Sequence, residues 1–214
     1  MPNRKSPPFD PECSACPRLV DFLAKARQAY PDHYCRPVPP FGADKPRLLI
    51  VGLAPGLHGA NRTGRPFTGD YAGVLLYETL HEFGYANRAV SVSADDGLKL
   101  KRCRITNAVK CVPPGNKPET TEIARCNKFL RSELESLPAG AAILSLGQIA
   151  HKAVLKAFAL KQKDYPFGHG AIHDLPDRRL YNSYHCSRYN TQTNRLTPAM
   201  FKAVFAQIRT NMGD

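Results

Sequence analysis

Short apolar runs alternate with segments of helical periodicity along most of the chain, and no other feature narrows the possible folds as much. Arg47-Leu-Leu-Ile-Val-Gly52 is one such run. Bounded by Pro46 and a glycine- and proline-rich stretch, it reads as a buried strand opening into a loop that reaches about Asp70. Further strands are expected over 102–109, 141–146 and 179–184. Between them, residues 73–83 place Val74, Leu75, Leu76, Leu80 and Phe83 on one side of a helix that Gly84 ends. Pro118-Glu-Thr-Thr-Glu suits the start of another, which Ile123, Phe129, Leu130 and Leu134 carry to about Leu137. Helices are also predicted over 18–30, 148–160 and 198–211. The alternation predicts an α/β fold, a three-layer α/β/α sandwich around a mainly parallel four-stranded sheet. Catalytic loops should then emerge at the carboxyl ends of the strands.

A chain of 214 residues, 43% of them hydrophobic, supports one good core, so residues 1–214 are expected to form a single domain and to act as a monomer. No run approaches the roughly 18 apolar residues that cross a bilayer, and Met1-Pro-Asn-Arg-Lys-Ser-Pro-Pro lacks the apolar segment of a signal peptide. No membrane partner and a cytoplasmic location are the expectations. The net charge of +12 favours a polyanion, with nucleic acid first, although a basic but ordinary enzyme explains the charge equally well. In a reducing compartment, seven cysteines point to metal or cluster ligation before disulfides.

Three blocks sit where the predicted strands end. The first runs Gly52-Leu-Ala-Pro-Gly56-Leu-His-Gly-Ala-Asn-Arg-Thr-Gly-Arg-Pro-Phe67-Thr-Gly-Asp70, the second Asn107-Ala-Val-Lys-Cys111-Val-Pro-Pro-Gly-Asn-Lys-Pro118, and the third His185-Cys-Ser-Arg-Tyr-Asn-Thr191. The glycine-punctuated first block, with His58, Asn61, Arg62 and Arg65, has the make-up of a phosphate-binding loop. Neither Gly-x-x-x-x-Gly-Lys-Ser/Thr nor a strand-borne Gly-x-Gly-x-x-Gly is present, which weakens an ordinary nucleotide-binding reading.

Taken together, the blocks resemble the uracil-DNA glycosylase superfamily from Cys13 to the last helix, and the long first block resembles its family-five, iron–sulfur (B-type) branch. Family-four enzymes have a Gly-Glu-x-Pro-Gly first motif; Leu53 stands at the acidic position here, and the resemblance offers Asp70 instead. It implies a monofunctional DNA glycosylase that hydrolyses the N-glycosidic bond of uracil, and of other deaminated bases such as hypoxanthine and xanthine, leaving an abasic site. Its partner would be DNA carrying such bases.

Base excision needs a residue to stack on the extruded base, one to read its edge and groups to stabilise charge as the bond breaks. The resemblance assigns stacking to Phe67, though an isolated Phe is more often core. Asn107 offers both donor and acceptor to a pyrimidine's amide edge; its bland role is a turn after the strand. His185 would donate toward the O2 that becomes negative, and otherwise is a structural histidine. Asp70 would stabilise the sugar cation and position water, or simply cap the following helix. Gly52, Ala54 and His58 complete the expected base contacts, with His58 or Asn61 next in line to handle water. Arg188, Tyr189 and Asn190 would fill the space left by the nucleotide, with Asn61 and Arg65 also toward the DNA. No lysine in the blocks is an obvious Schiff-base nucleophile, although Lys110 stands near Asn107; were it one, the enzyme would also nick the strand.

Cys13 and Cys16 form a C-x2-C pair, and Cys111 and Cys126 have fourteen residues between them. The resemblance implies that these four hold a [4Fe-4S] cluster in an N-terminal cluster-binding segment, leaving Cys35, Cys103 and Cys186 as non-ligands. By cysteine count alone a structural zinc ranks first, and Cys35 is near enough in sequence to exchange as a ligand. A non-catalytic nucleic-acid-binding module and a zinc-bound nucleotide hydrolase are the competing readings.

Overall fold

The computed structural model describes residues 7–213. The reading of a leaderless start falls in part on residues 1–6 and so lies outside the described residues. The described residues form one six-stranded sheet in the order β1-β3-β2-β4-β6-β5. Its elements are α1 Pro17–Ala29, β1 Phe41–Gly42, β2 Leu48–Gly52, α2 Ala60–Thr63, α3 Tyr71–Glu82, β3 Cys103–Asn107, α4 Thr120–Glu135, β4 Ala142–Leu146, α5 Gln148–Ala157, β5 Ile172–Asp174, β6 Arg179–Ser183, α6 Arg188–Gln192 and α7 Pro198–Met212.

The four expected strands are the parallel centre, β3-β2-β4-β6. Every residue of β2 and β4 is buried, which is why these strands read as unbroken apolar runs. The expectation of four strands is corrected by β1 and β5, which pair antiparallel at the two edges. At two and three residues, they are too short to leave a periodicity in the sequence. Residues 60–63 and 188–192, read as loop, each form about one helical turn.

Side chains alternate across the sheet and separate the layers. Leu48, Ile50, Ile105, Leu144 and Tyr181 pack with Leu76 and Leu80 of α3 and Phe201, Val204 and Phe205 of α7. Their neighbours Leu49, Val51, Ile143 and Leu180 pack with Leu130 and Leu134 of α4 and Ala153, Val154 and Leu155 of α5. A third cluster sets Leu19 and Leu23 of α1 against Val109, Cys111, Val112, Cys126 and Phe129. Among the described residues no helix is long and apolar enough to cross a membrane.

Gly52 pairs with Asn107, and Leu146 with Ser183, so the central strands finish at one edge of the sheet. The chain passes from β2 to β3 on one side and then to β4 on the other. The crevice beyond β2 and β4 is therefore the point where strand order reverses, the usual place for a ligand in an open α/β sheet.

Candidate active site

Two adjoining clefts open at that edge and share Leu53 and His185. One, of about 420 Å³, is lined by residues 53–56, Asp70, Tyr71, Ala72, Asn116, His185, Ser187 and Arg188. The other, of about 550 Å³, lies over the start of α5 and includes Phe167, Tyr184 and Arg195.

Asp70 caps α3: one carboxylate oxygen accepts a hydrogen bond from the Gly73 amide at 3.1 Å. The other lies against the first block, where a Cβ on Gly59 would come 2.4 Å from Oδ2. Capping and exposure of an oxygen to the cleft are thus both available to one carboxylate. Burial raises the Asp70 pKa, and the Gly73 and Ala72 amides only partly oppose this.

Phe67 has a left-handed backbone, φ +55°. Gly73 lets α3 approach it, because a Cβ there would lie 1.9 Å from the Phe67 carbonyl oxygen. The Phe67 ring stacks on His185 with centroids 5.8 Å apart and planes 26° from parallel. Gly52 brings this ring beside Asn107: a Cβ at Gly52 would fall 2.4 Å from Asn107 Oδ1 and 2.7 Å from the Phe67 ring. Asn107 is buried, and its Oδ1 has no hydrogen-bond partner among the described residues.

The His185 Nδ1 is likewise buried and unpartnered, while the residue keeps part of its surface toward the clefts. Desolvation lowers the His185 pKa from 6.5 to about 4, so the imidazole is neutral at physiological pH. The unfolded chain then binds more protons than the folded one between about pH 6.5 and 4, and stability should fall as pH drops through that window. His185→Gln is expected to flatten this part of the stability profile, measured by denaturant unfolding at a series of pH values.

Other expected site residues stand elsewhere. Leu53 and Ala54 line the cleft, whereas His58 is exposed and packs edge-on against Tyr30 and His33. Asn61 and Arg65, expected at the DNA face, are buried. Asn61 Nδ2 bonds to Cys35 Sγ and the Leu57 carbonyl, both at 3.4 Å, and Arg65 pairs with Asp96 at 2.6 Å. Both side chains are engaged in these buried contacts. Arg188 and Tyr189 are exposed on α6. Asn190 donates to the His185 carbonyl at 2.8 Å, which fastens the turn to the site. Lys110 is buried and ion-paired to Glu133 at 2.5 Å, so its amine is not presented to a sugar.

Cys13, Cys16, Cys111 and Cys126 line one largely apolar cavity with Leu19, Val109 and Phe129. The Lys110 amide donates to Cys126 Sγ at 3.3 Å. Burial, then the neighbouring Cys126, Cys13 and Cys16, push the Cys111 thiol up to about 12. Among the described residues no group of three or more His, Cys, Asp or Glu side chains is gathered closely enough to hold one metal ion. Cys103 and Cys186 are fully buried, apart from this set. Sequence reasoning passed over Gly59, Gly73 and Asn116; the two glycines were visible as glycines, but the residues they approach were not.

The carboxyl edge of a mainly parallel sheet thus brings together a stacked aromatic, an unpartnered amide oxygen and a half-buried carboxylate. A model of the uracil DNA glycosylase superfamily matches residues 39–209, and the chain belongs to that superfamily. It is 44% identical to the type-5 uracil-DNA glycosylase of Thermus thermophilus over 207 residues, covering 94% of each chain. It is 43% identical to the type-5 uracil-DNA glycosylase of Mycobacterium leprae, covering 94% of this chain and 92% of the relative. A type-4 uracil-DNA glycosylase of Archaeoglobus fulgidus is 34% identical over 58% of this chain.

Proposed function

We propose that the protein is a monofunctional DNA glycosylase that excises uracil, and also hypoxanthine and xanthine, from DNA, and that Cys13, Cys16, Cys111 and Cys126 hold a [4Fe-4S] cluster. The observation that carries the catalytic reading is the pair of unpartnered buried atoms, Asn107 Oδ1 beside Gly52 and the Phe67 ring, and His185 Nδ1 in the ring stacked on Phe67. A base whose edge supplies the missing bonds would satisfy both atoms.

The uracil ring would stack on Phe67. Asn107 Oδ1 would accept from N3–H while its amide donates to O4, satisfying both atoms of the base's edge. As the C1′–N1 bond breaks, its electron pair passes to the base and is stabilised at O2 by a hydrogen bond from neutral His185. Asp70 stabilises the positive sugar and orients water; the water oxygen bonds to C1′, and the proton it loses passes by way of Asp70 and solvent to the departed base, which leaves as neutral uracil. With Lys110 buried against Glu133, its amine is held away from Schiff-base chemistry, in keeping with hydrolysis that leaves the strand intact. The wider base range rests on the likeness to family-five enzymes, and Leu53 in place of an acidic residue is compatible with it.

What supports the cluster is the cavity that the four cysteines share: its candidate donors are all sulfur and its walls are largely apolar. Four thiolates suit either group, and the likeness to iron–sulfur family-five enzymes favours the cluster over a single zinc. The cluster when bound would fasten α1 and α4 to the loop beyond Asn107.

Oligonucleotides carrying one uracil, hypoxanthine or xanthine, incubated with the protein and then treated with alkali, test the reading. Alkali-labile breaks at the damaged base are expected. DNA binding without such breaks on any substrate would mean a non-catalytic binding module.

A further inference from the structure

Phe67 sits in a backbone conformation that side-chain-bearing residues seldom adopt, and its ring is stacked on His185 with planes 26° apart. The restraint on the segment comes from outside the cleft. The Arg65 side chain is 3% exposed and lies against the Asp96 side chain, which is 7% exposed. Arg65 Nη2 donates to Asp96 Oδ2 at 2.6 Å and to Ser91 Oγ at 2.7 Å, and Nε donates to Thr68 Oγ1 at 3.0 Å. The Thr68 and Ser91 hydroxyls are 2.7 Å apart. The Arg65 guanidinium also covers the Phe41 ring at 4.9 Å.

Asp96 is in turn fixed by its own segment. It accepts from the amides of Val92 at 2.8 Å, Ser93 at 3.3 Å and Leu98 at 2.9 Å. Although burial opposes ionisation, the Arg65 bond and these amides hold its carboxyl well below the usual carboxylate range. Tyr77 closes the other side by donating to the Pro66 carbonyl at 2.7 Å. Arg65 and Thr68, two positions before and one after Phe67, are therefore anchored to the Asp96 carboxylate 31 positions after Arg65 and the Ser91 hydroxyl 23 positions after Thr68.

We propose that Asp96, through Arg65, Ser91 and Thr68, is a positioning residue for Phe67 that holds the stacking ring at the angle the excised base requires. The base-stacking part of the inference rests on the proposed glycosylase activity; the holding of the ring does not. A buried, multiply bonded ion pair of this kind loses much when one partner is removed, because the other is left buried and unpaired.

The chain contains no tryptophan, so Phe67→Trp supplies a single fluorescent reporter at the ring itself. Acrylamide quenching of Phe67→Trp is compared with that of Phe67→Trp/Asp96→Asn in the full-length protein. The quenching constant is expected to rise at least about twofold when Asp96 is neutralised. An unchanged constant in a folded double variant would overturn the proposal, whether or not the protein excises uracil. Should Asp96→Asn fail to fold, Phe67→Trp/Ser91→Ala decides: a rise supports the clasp, and no rise overturns it. In single-turnover excision, Asp96→Asn should lower the rate roughly tenfold to a hundredfold with Phe67 present and less than about twofold in a Phe67→Leu background. Equal losses in both backgrounds would mean a general structural role and would also overturn it.

Discussion

Asp70→Asn is expected to lower single-turnover excision of uracil by roughly two to four orders of magnitude, the range for loss of a positioned base or preorganised charge. Asparagine keeps an acceptor for the Gly73 amide, so the α3 cap survives. DNA affinity should change little. The same substitution carries a second signature with the opposite sign. Burial raises the folded-state pKa of Asp70, so keeping it ionised costs stability above the ordinary carboxylate pKa of about 3.9. Below that range both folded and unfolded forms are protonated and the cost vanishes. Asp70→Asn should therefore match or exceed the parent in melting temperature at pH 7, with the advantage shrinking as pH falls toward 3. Higher stability with lost activity is the pattern of a carboxylate retained for chemistry. Full activity in a folded Asp70→Asn variant would remove Asp70 from the mechanism.

The second large effect concerns Cys111. It stands four residues beyond Asn107, within the apolar cluster that joins α1 and α4 to the end of β3. Cys111→Ser is expected to reduce iron from about four per chain to near none. The protein should lose its brown colour and unfold at markedly lower temperature, because a group bound only by the folded state stabilises it by mass action. Uracil excision should fall with it, since Asn107 and the cysteine share one loop. Cys103→Ser, outside the cysteine cavity, should keep both iron and activity. Iron analysis and thermal unfolding of the two variants check this. One zinc and no iron in anaerobically prepared parent protein would contradict the cluster.

The central sheet was legible because strands buried on both faces must be apolar throughout, as β2 and β4 are. The edge strands β1 and β5 were not, since two or three residues paired at a rim carry no pattern of their own. At the site, sequence located the loops that hold Phe67, Asp70, Asn107 and His185, but it could not separate charge from exposure. Arg65 illustrates this: in sequence it is a cation in a glycine-rich loop, whereas in the fold it is covered by Phe41 and paired with Asp96. The Asp96 partner lies 31 positions away, in a polar stretch with no helical or strand signal, and only the tertiary fold brings the two together. His58 likewise belongs to the right block but turns toward Tyr30 and His33.

The most direct measurement is the mass of the product formed when excess protein acts on an oligonucleotide with a single uracil, before any alkali. The account predicts a strand of full length that has lost the base and gained water, with free uracil released in equal amount. A strand of unchanged mass after prolonged incubation, or one already nicked at the uracil position, would contradict it.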